Sequence, residues 1–474
     1  MSTRAPSPET LSRLANAAGK GGVLLPREDD IERYLVEWRG LFRGDTPLVL
    51  RPNSVDAVAD IVRIANDTET GLVPQGGNTG LVGGQIPNVS GKEVLVSLER
   101  MATIRSTDPL NNTMTVDAGC TLQSVQEAAA RVDRLFPLSL ASEGSCQIGG
   151  VLSTNAGGTA VLRYGSMRDL VLGLEAVLPS GEVWNGLTGL RKDNTGYDLT
   201  RLFAGAEGTL GIVTGVVLKL FPMPKASETT FASVRDPQAA VELLALLQNA
   251  SGDLVSTFEI ISRSGLELVL RHFDEATDPL FDESDWYVLA EATAGTDGWL
   301  RGVLEDTMAK AIASGLVADA VLAESESQRQ ALWGLRENMS AAQKLEGASI
   351  KHDVSVPVSS VPDFLAEAVQ AVTGIMPGVR PVPFGHIGDG NIHFNLSQPD
   401  GMDPSVFLSE WQAMNDVVHG VVASFGGSIS AEHGIGTLKR EELTRYKSDT
   451  ELQAMRAIKR ALDPKGIMNP GKLV

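Results

Sequence analysis

Apolar positions recur at helical spacing behind Ser54, where Val55, Val58, Ile61, Val62 and Ala65 line one stripe and Ser54 can accept backbone N–H bonds as a cap. The chain then turns into Gly71-Leu72-Val73-Pro74, the start of a short strand, and further strands are predicted at Val94–Leu98 and Met114–Ala118. Prolines in Leu220-Phe221-Pro222-Met223-Pro224-Lys225 end a strand, and the following sequence is more charged and more helical, which puts a domain boundary near 225. Beyond it, the spacing predicts a helix over Gln328–Lys344 and an alternating strand over Lys351–Val358. A second helix starts at Ser360 with Pro362 in its first turn and buries Phe364, Leu365, Ala368, Val369 and Val372; a last helix runs near Thr450–Leu462. This alternation is α+β or α/β material, with no internal repeat.

Charge and cysteine usage narrow the function. A net charge of -19 and a pI near 4.8 disfavour nucleic acid and anionic membranes as partners, since both require a basic footprint. Cys120 and Cys146 form no CxxC, which argues against a disulfide scaffold or a cysteine-ligated metal and for a reduced, cytoplasmic setting. The opening Met1–Pro8 lacks the apolar core of a secretory signal, and no run of about 18 apolar residues suggests a membrane span.

The chain has six histidines, three of them in two glycine-rich stretches, Gly385–Asn395 and Ser430–Gly436. Any one of them also fits an ordinary hydrogen-bonded role. Together, two imidazoles and a carboxylate make a divalent-metal site, with His433 left as a base beside it. His393 and Asn395, two apart in a predicted strand, face the same side. The remaining histidines, His272, His352 and His419, read as structural, and Asp389 as a turn-forming or supporting residue. Arg336 and Ser340, four apart on the predicted helix, share a face, and Lys351 opens the next strand. In an acidic protein, two cations and a hydroxyl converging there would recognise a carboxylate.

Three glycine-rich segments punctuate the first half: Pro74–Gly84, Ser142–Gly158 and Gly205–Val213. Each permits close backbone approach, and the first follows a strand and offers successive N–H groups, as a pyrophosphate nest does; an ordinary turn remains open for that segment alone. None is a GxGxxG after a strand, and Gly91-Lys92 is followed by Glu93, unlike a P-loop.

These segments, with Lys192–Leu199, the His386 and Glu432 motifs and Asn469-Pro470-Gly471-Lys472, resemble the flavoprotein family of vanillyl-alcohol oxidase and p-cresol methylhydroxylase, and within it the D-2-hydroxy-acid dehydrogenases. The similarity runs from roughly residue 30 to the end of the sequence. It implies an α+β architecture: a two-lobed non-Rossmann FAD-binding domain of the p-cresol methylhydroxylase type over 1–225, a substrate domain with an antiparallel sheet flanked by helices over 226–430, and a segment over 431–474 returning to the FAD domain. It places the pyrophosphate on Gly76, Gly77, Asn78, Thr79, Gly80 and Leu81, with Pro74 also in the cofactor site. Ser142, Gly144, Ser145, Gly149, Gly150, Asn155, Gly158, Glu207, Gly211, Ile212 and Asn469 would line the rest of the flavin site. The phosphate loop has no histidine, so non-covalent FAD is expected.

The resemblance assigns His386, His393 and Glu432 to Zn2+ or a similar divalent ion, His433 to proton abstraction, and Arg336, Ser340, Lys351, Asn395 and His433 to the substrate. Ser340 stands where the family pattern has threonine, which leaves the preferred acid open. The implied reaction is oxidation of D-2-hydroxyglutarate to 2-oxoglutarate by hydride transfer from C2 to flavin N5, with D-lactate, D-malate or glycolate as alternatives on the same scaffold. The electron acceptor would be an electron-transfer flavoprotein or a quinone-linked route; a homodimer is left open. A metal-dependent hydrolase is the distant alternative; it leaves the flavin motifs without a role.

Overall fold

The computed structural model describes residues 4–26 and 28–474. The chain divides into two compact units: one comprises 1–158, 165–223 and 433–474, the other 159–164 and 224–432.

In the first unit the stripe behind Ser54 becomes the helix Val55–Thr68, with the Ser54 hydroxyl accepting from the Ala57 N–H at 3.2 Å and Val58, Ile61, Val62 and Ala65 buried. That apolar stripe supplies most of the helix's stability. A four-stranded sheet orders Val23–Leu24, Val49–Leu50, Val94–Ser97 and Leu72–Gln75, its last three strands parallel. A five-stranded antiparallel sheet orders Ile104–Asp108, Thr113–Asp117, Ile212–Lys219, Val171–Val177 and Val183–Gly186.

The second unit is built on an eight-stranded antiparallel sheet. Its strand Val255–Ser262 is buried at every position because helices cover both faces. Ile260, Val288, Phe394 and Leu396 point to one core, against Leu243, Phe364, Ala368 and Val418 from the helices. Ile261, Tyr287, Val382 and Phe384 point to the other, against Leu266, Val269, Leu335 and Met339. Strand alternation therefore sends Glu259 and His393 to the second face.

Two predicted elements are interrupted. The helix expected over Gln328–Lys344 is two helices, Glu326–Glu337 and Met339–Glu346, which meet at Asn338. The strand expected over Lys351–Val358 is reduced to Ser349–Ile350 and Asp353–Ser355, both on the strand Asn391–Ser397, and it stops before Pro357, which has no N–H to extend a ladder. The helix Val361–Ile375 follows, with proline in its first turn. Asp449–Leu462 starts at a capping box in which Ser448 and Glu451 satisfy each other's backbone N–H groups.

Candidate functional site

In the second unit, the strand Arg380–Gly385 runs into a tight turn and returns as Asn391–Ser397, with Phe384 opposite His393. The turn requires glycine. Gly385 has φ of 146°, and a Cβ there would meet the Asn391 carbonyl oxygen at 2.7 Å; at Gly390 (φ 83°) a Cβ would lie 2.1 Å from the Val356 oxygen. Asp389 accepts the Asn391 N–H at 3.0 Å, a turn-forming role. Burial together with the nearby Glu259 and Glu432 carboxylates pushes the Asp389 pKa up to about 6.

This turn brings His386 beside His393, their ring centroids 5.4 Å apart, and both close to Glu432. One donor atom from each of the three residues lies within 4.8 Å of the other two, and His386 Nε2 is 3.9 Å from Glu432 Oε1. Ligand atoms on a tetrahedral ion with bonds of about 2.0–2.1 Å would be about 3.4 Å apart, so small side-chain adjustments would close the set around one ion.

Two buried carboxylates that the sequence reading missed stand behind these donors. Glu259, fully buried on Val255–Ser262, has Oε1 2.5 Å from His386 Nδ1 and Oε2 2.6 Å from Arg336 Nε. A carboxylate can only accept, so the imidazole donates from Nδ1 and presents Nε2 on the Glu432 side. Burial alone would raise the Glu259 pKa; the His386 and Arg336 charges overcome it and hold the group near 2. Burial lowers the His386 pKa, and Glu259 reverses this and raises it to about 9. Asp353, paired in register with His393, accepts the Glu432 N–H at 2.9 Å and the Asn391 amide at 2.9 Å, and lies 3.8 Å from His393 Nδ1. For Glu259 the available signal was a lone carboxylate inside the apolar run over 258–261, since a charge on a strand covered on both faces needs partners.

The substrate candidates separate. Arg336 is buried in the last turn of its helix, with its guanidinium 4.8 Å from the centre of the Phe384 ring. Ser340 lies beyond the break at Asn338 and is exposed, so the shared face predicted for the pair is not formed. Lys351 is half-buried between the two short strands. Asn395 is buried and donates to Gln343 Oε1 at 2.8 Å, while Gln343 Nε2 is buried with no hydrogen-bond partner. Gln343 was not anticipated. The other histidines hold structure: His272 contacts Glu346 at 2.8 Å, His352 donates from Nδ1 to the Phe394 carbonyl at 2.8 Å, and its ring meets His419 edge-on at 5.7 Å.

In the first unit, two of the glycine segments pack against each other. A Cβ on Gly77 would lie 1.9 Å from the Ser145 carbonyl oxygen, and one on Gly76 would lie 3.4 Å from Gly150 Cα. Asn78 adopts φ of 55° and donates to the Arg33 and Val36 carbonyls, both at 2.8 Å. Ser142 and Ser145 share a turn, and Gly149 would collide with Ala118 if it carried a side chain. Asn155 ends the helix Ile148–Thr154, its side-chain oxygen accepting from Ser166 and Arg168. The Glu207 carboxylate accepts the Ile435 and Gly436 N–H groups at 2.8 and 2.7 Å, so its side chain is spent on the loop after His433. Asn469 donates to the Gly84 and Glu207 carbonyls. Its Oδ1, and Oε1 of Gln147, are buried without a partner. Buried acceptors left open among glycine loops fit a ligand with its own donors, as the imide and hydroxyl groups of FAD are.

Residues 46–186 match the FAD binding domain family, and residues 223–473 match the C-terminal domain of FAD linked oxidases. The chain is 37% identical over 456 residues to a mitochondrial D-2-hydroxyglutarate dehydrogenase of Danio rerio, covering 95% of this chain and 83% of that one. It is 36% identical over 457 residues to a D-2-hydroxyglutarate–pyruvate transhydrogenase of Saccharomyces cerevisiae, covering 94% and 90%. A structure of p-cresol methylhydroxylase with substrate bound superposes with a TM-score of 0.76 at 17% identity, covering 98% and 96%, so the fold is of that type. The word mitochondrial in the zebrafish relative's name, repeated in other relatives, overturns the cytoplasmic expectation. Two buried free thiols argue for a reducing compartment but do not distinguish the cytosol from a mitochondrial matrix.

Proposed function

The chain belongs to the FAD-linked oxidases, and we propose that it is the dehydrogenase that converts D-2-hydroxyglutarate to 2-oxoglutarate. The observation that carries this reading is the convergence of His386, His393 and Glu432 with a buried arginine that shares a carboxylate with His386. Two imidazoles and a carboxylate leave positions on a divalent ion for a carboxylate and its neighbouring hydroxyl, and Arg336 offers a cation for a second carboxylate. The names of the relatives support the same acid.

The glycine segments and Asn469 would hold FAD non-covalently, which when bound would supply a hydride acceptor, and a zinc-like ion would supply Lewis acidity toward the hydroxy acid. His386, His393 and Glu432 would hold that ion. His433, the chain neighbour of Glu432, takes the hydroxyl proton as C2 is oxidised. Arg336 binds the distal carboxylate, and Lys351, half-buried between the two short strands, is assigned to the same acid. Asn395 and Gln343 form an amide pair with one open donor, suited to a substrate oxygen.

The test is metal removal. Stripping the ion with a chelator should abolish flavin reduction by D-2-hydroxyglutarate while the protein stays yellow, and zinc should restore it. Full reduction in protein shown by elemental analysis to be metal-free would overturn the reading.

A further inference from the structure

We infer that Glu259 is a positioning residue that ties the metal half of the site to the substrate-carboxylate half, its two oxygens fixing His386 and Arg336 at once. The inference rests on the reading above, in which His386 ligates a divalent ion and Arg336 meets a distal carboxylate.

Glu259 sits in a strand buried at all positions, with a side chain 0% exposed. Burying a carboxylate there costs more than burying an apolar side chain of similar volume, so retaining the charge calls for a role beyond stability. Each oxygen has one partner: Oε1 lies 2.5 Å from His386 Nδ1 and Oε2 accepts from Arg336 Nε at 2.6 Å. The first contact sets the tautomer that frees His386 Nε2 for an ion, and a full negative charge behind the ring strengthens it as a ligand. The second uses the Nε–H of Arg336 and leaves the terminal guanidinium N–H groups for another acceptor, while Phe384 supports the cation's plane. Shifting Glu259 therefore moves a metal ligand and a specificity residue together. Asp353 provides the contrast, because it supports the His393 and Glu432 side.

The experiment uses the FAD-bound protein and two readouts independent of turnover: zinc affinity by competition with a chelator, and calorimetric dissociation constants for 2-oxoglutarate and pyruvate. In Glu259→Gln one carbonyl oxygen cannot serve both donors. We expect zinc affinity to fall about 10–100-fold, the usual effect of losing such a support, and the preference for 2-oxoglutarate over pyruvate to fall with it. Asp353→Asn should weaken zinc comparably and leave that preference at the parent value. Zinc binding within twofold of the parent in Glu259→Gln, or equal changes in preference in both variants, would overturn the inference. If Glu259→Gln does not fold, Glu259→Asp replaces it: the charge is kept but the shorter arm cannot span both partners, so both readouts should still drop. Should the parent show no preference for the dicarboxylate, the substrate reading fails, and zinc affinity alone still decides whether Glu259 supports His386.

Discussion

Replacing Arg336 by alanine should damage stability and specificity by separable amounts. Arg336 and Glu259 form a buried pair at 2.6 Å, with side chains 11% and 0% exposed. Breaking such a pair from one side costs about 3–5 kcal/mol, because the remaining charge stays buried. Here Glu259 keeps its contact with His386, which puts the cost at the lower end, about 3 kcal/mol. At roughly 2–4 °C per kcal/mol for a unit of this size, the melting transition of the second unit should fall by about 6–12 °C. Adding Glu259→Gln to Arg336→Ala should recover part of that loss by removing the uncompensated charge. For catalysis, a hydrogen bond to a charged group is worth about 1.5–3 kcal/mol, so kcat/KM for D-2-hydroxyglutarate should drop about 10–150-fold. D-lactate, which has no distal carboxylate, should lose far less. Scanning calorimetry and steady-state kinetics on both acids read the two effects. An unchanged melting profile would contradict the buried pair, and equal losses for both acids would place Arg336 on the common carboxylate and refute the specificity argument.

His433→Asn should slow flavin reduction by about 10²–10⁴ for every 2-hydroxy acid, as loss of a general base does, while stopped-flow absorbance shows the FAD still bound; an unchanged rate would remove His433 from the base role. Acid precipitation should release all the yellow chromophore, and Gly77→Ala, whose new Cβ would lie 1.9 Å from a carbonyl oxygen, should lower the FAD content of purified protein. Colour kept in the pellet or full FAD occupancy would contradict these two expectations respectively. Burial raises the Glu346 pKa, but His272, Arg380 and Arg271 overcome it and hold the group near 2. Its contribution is therefore present above the unfolded carboxylate pKa, about 4.5, and is lost as pH falls toward 2. Glu346→Gln should thus be less stable than the parent at pH 6 in urea titrations, with the gap closing below pH 4.5; a pH-independent gap would refute the charge-based account.

Much of this site was legible because its parts are local. His386 and His393 are separated by a glycine turn, and strand alternation puts Asn395 on the face of His393, so spacing alone grouped them. The cap at Ser54 and the stripe behind it were equally local. The role of Glu259 was not legible, because its partners lie 77 and 127 positions away: the register of Ile260 with Gly385 brings His386 to it, and a helix packed on the sheet brings Arg336. Asp353 was hidden for the same reason, through its pairing with His393. Helical spacing over 328–344 overestimated continuity: Asn338 interrupts it, which separates buried Arg336 from exposed Ser340. Glu207 reads in sequence as a flavin-lining residue in a glycine loop, yet its carboxylate grips the backbone after His433, a contact across more than 200 positions that periodicity cannot register.

The central claim is most directly tested by the absorbance spectrum of the purified, metal-replete protein during anaerobic addition of D- and L-2-hydroxyglutarate. A metal that binds the carboxylate and the hydroxyl, together with a fixed flavin face, defines chirality at C2. The flavin band should therefore bleach stoichiometrically with the D enantiomer and persist with the L enantiomer. Equal bleaching by both, or no bleaching by D-2-hydroxyglutarate in protein carrying both FAD and metal, would contradict the account.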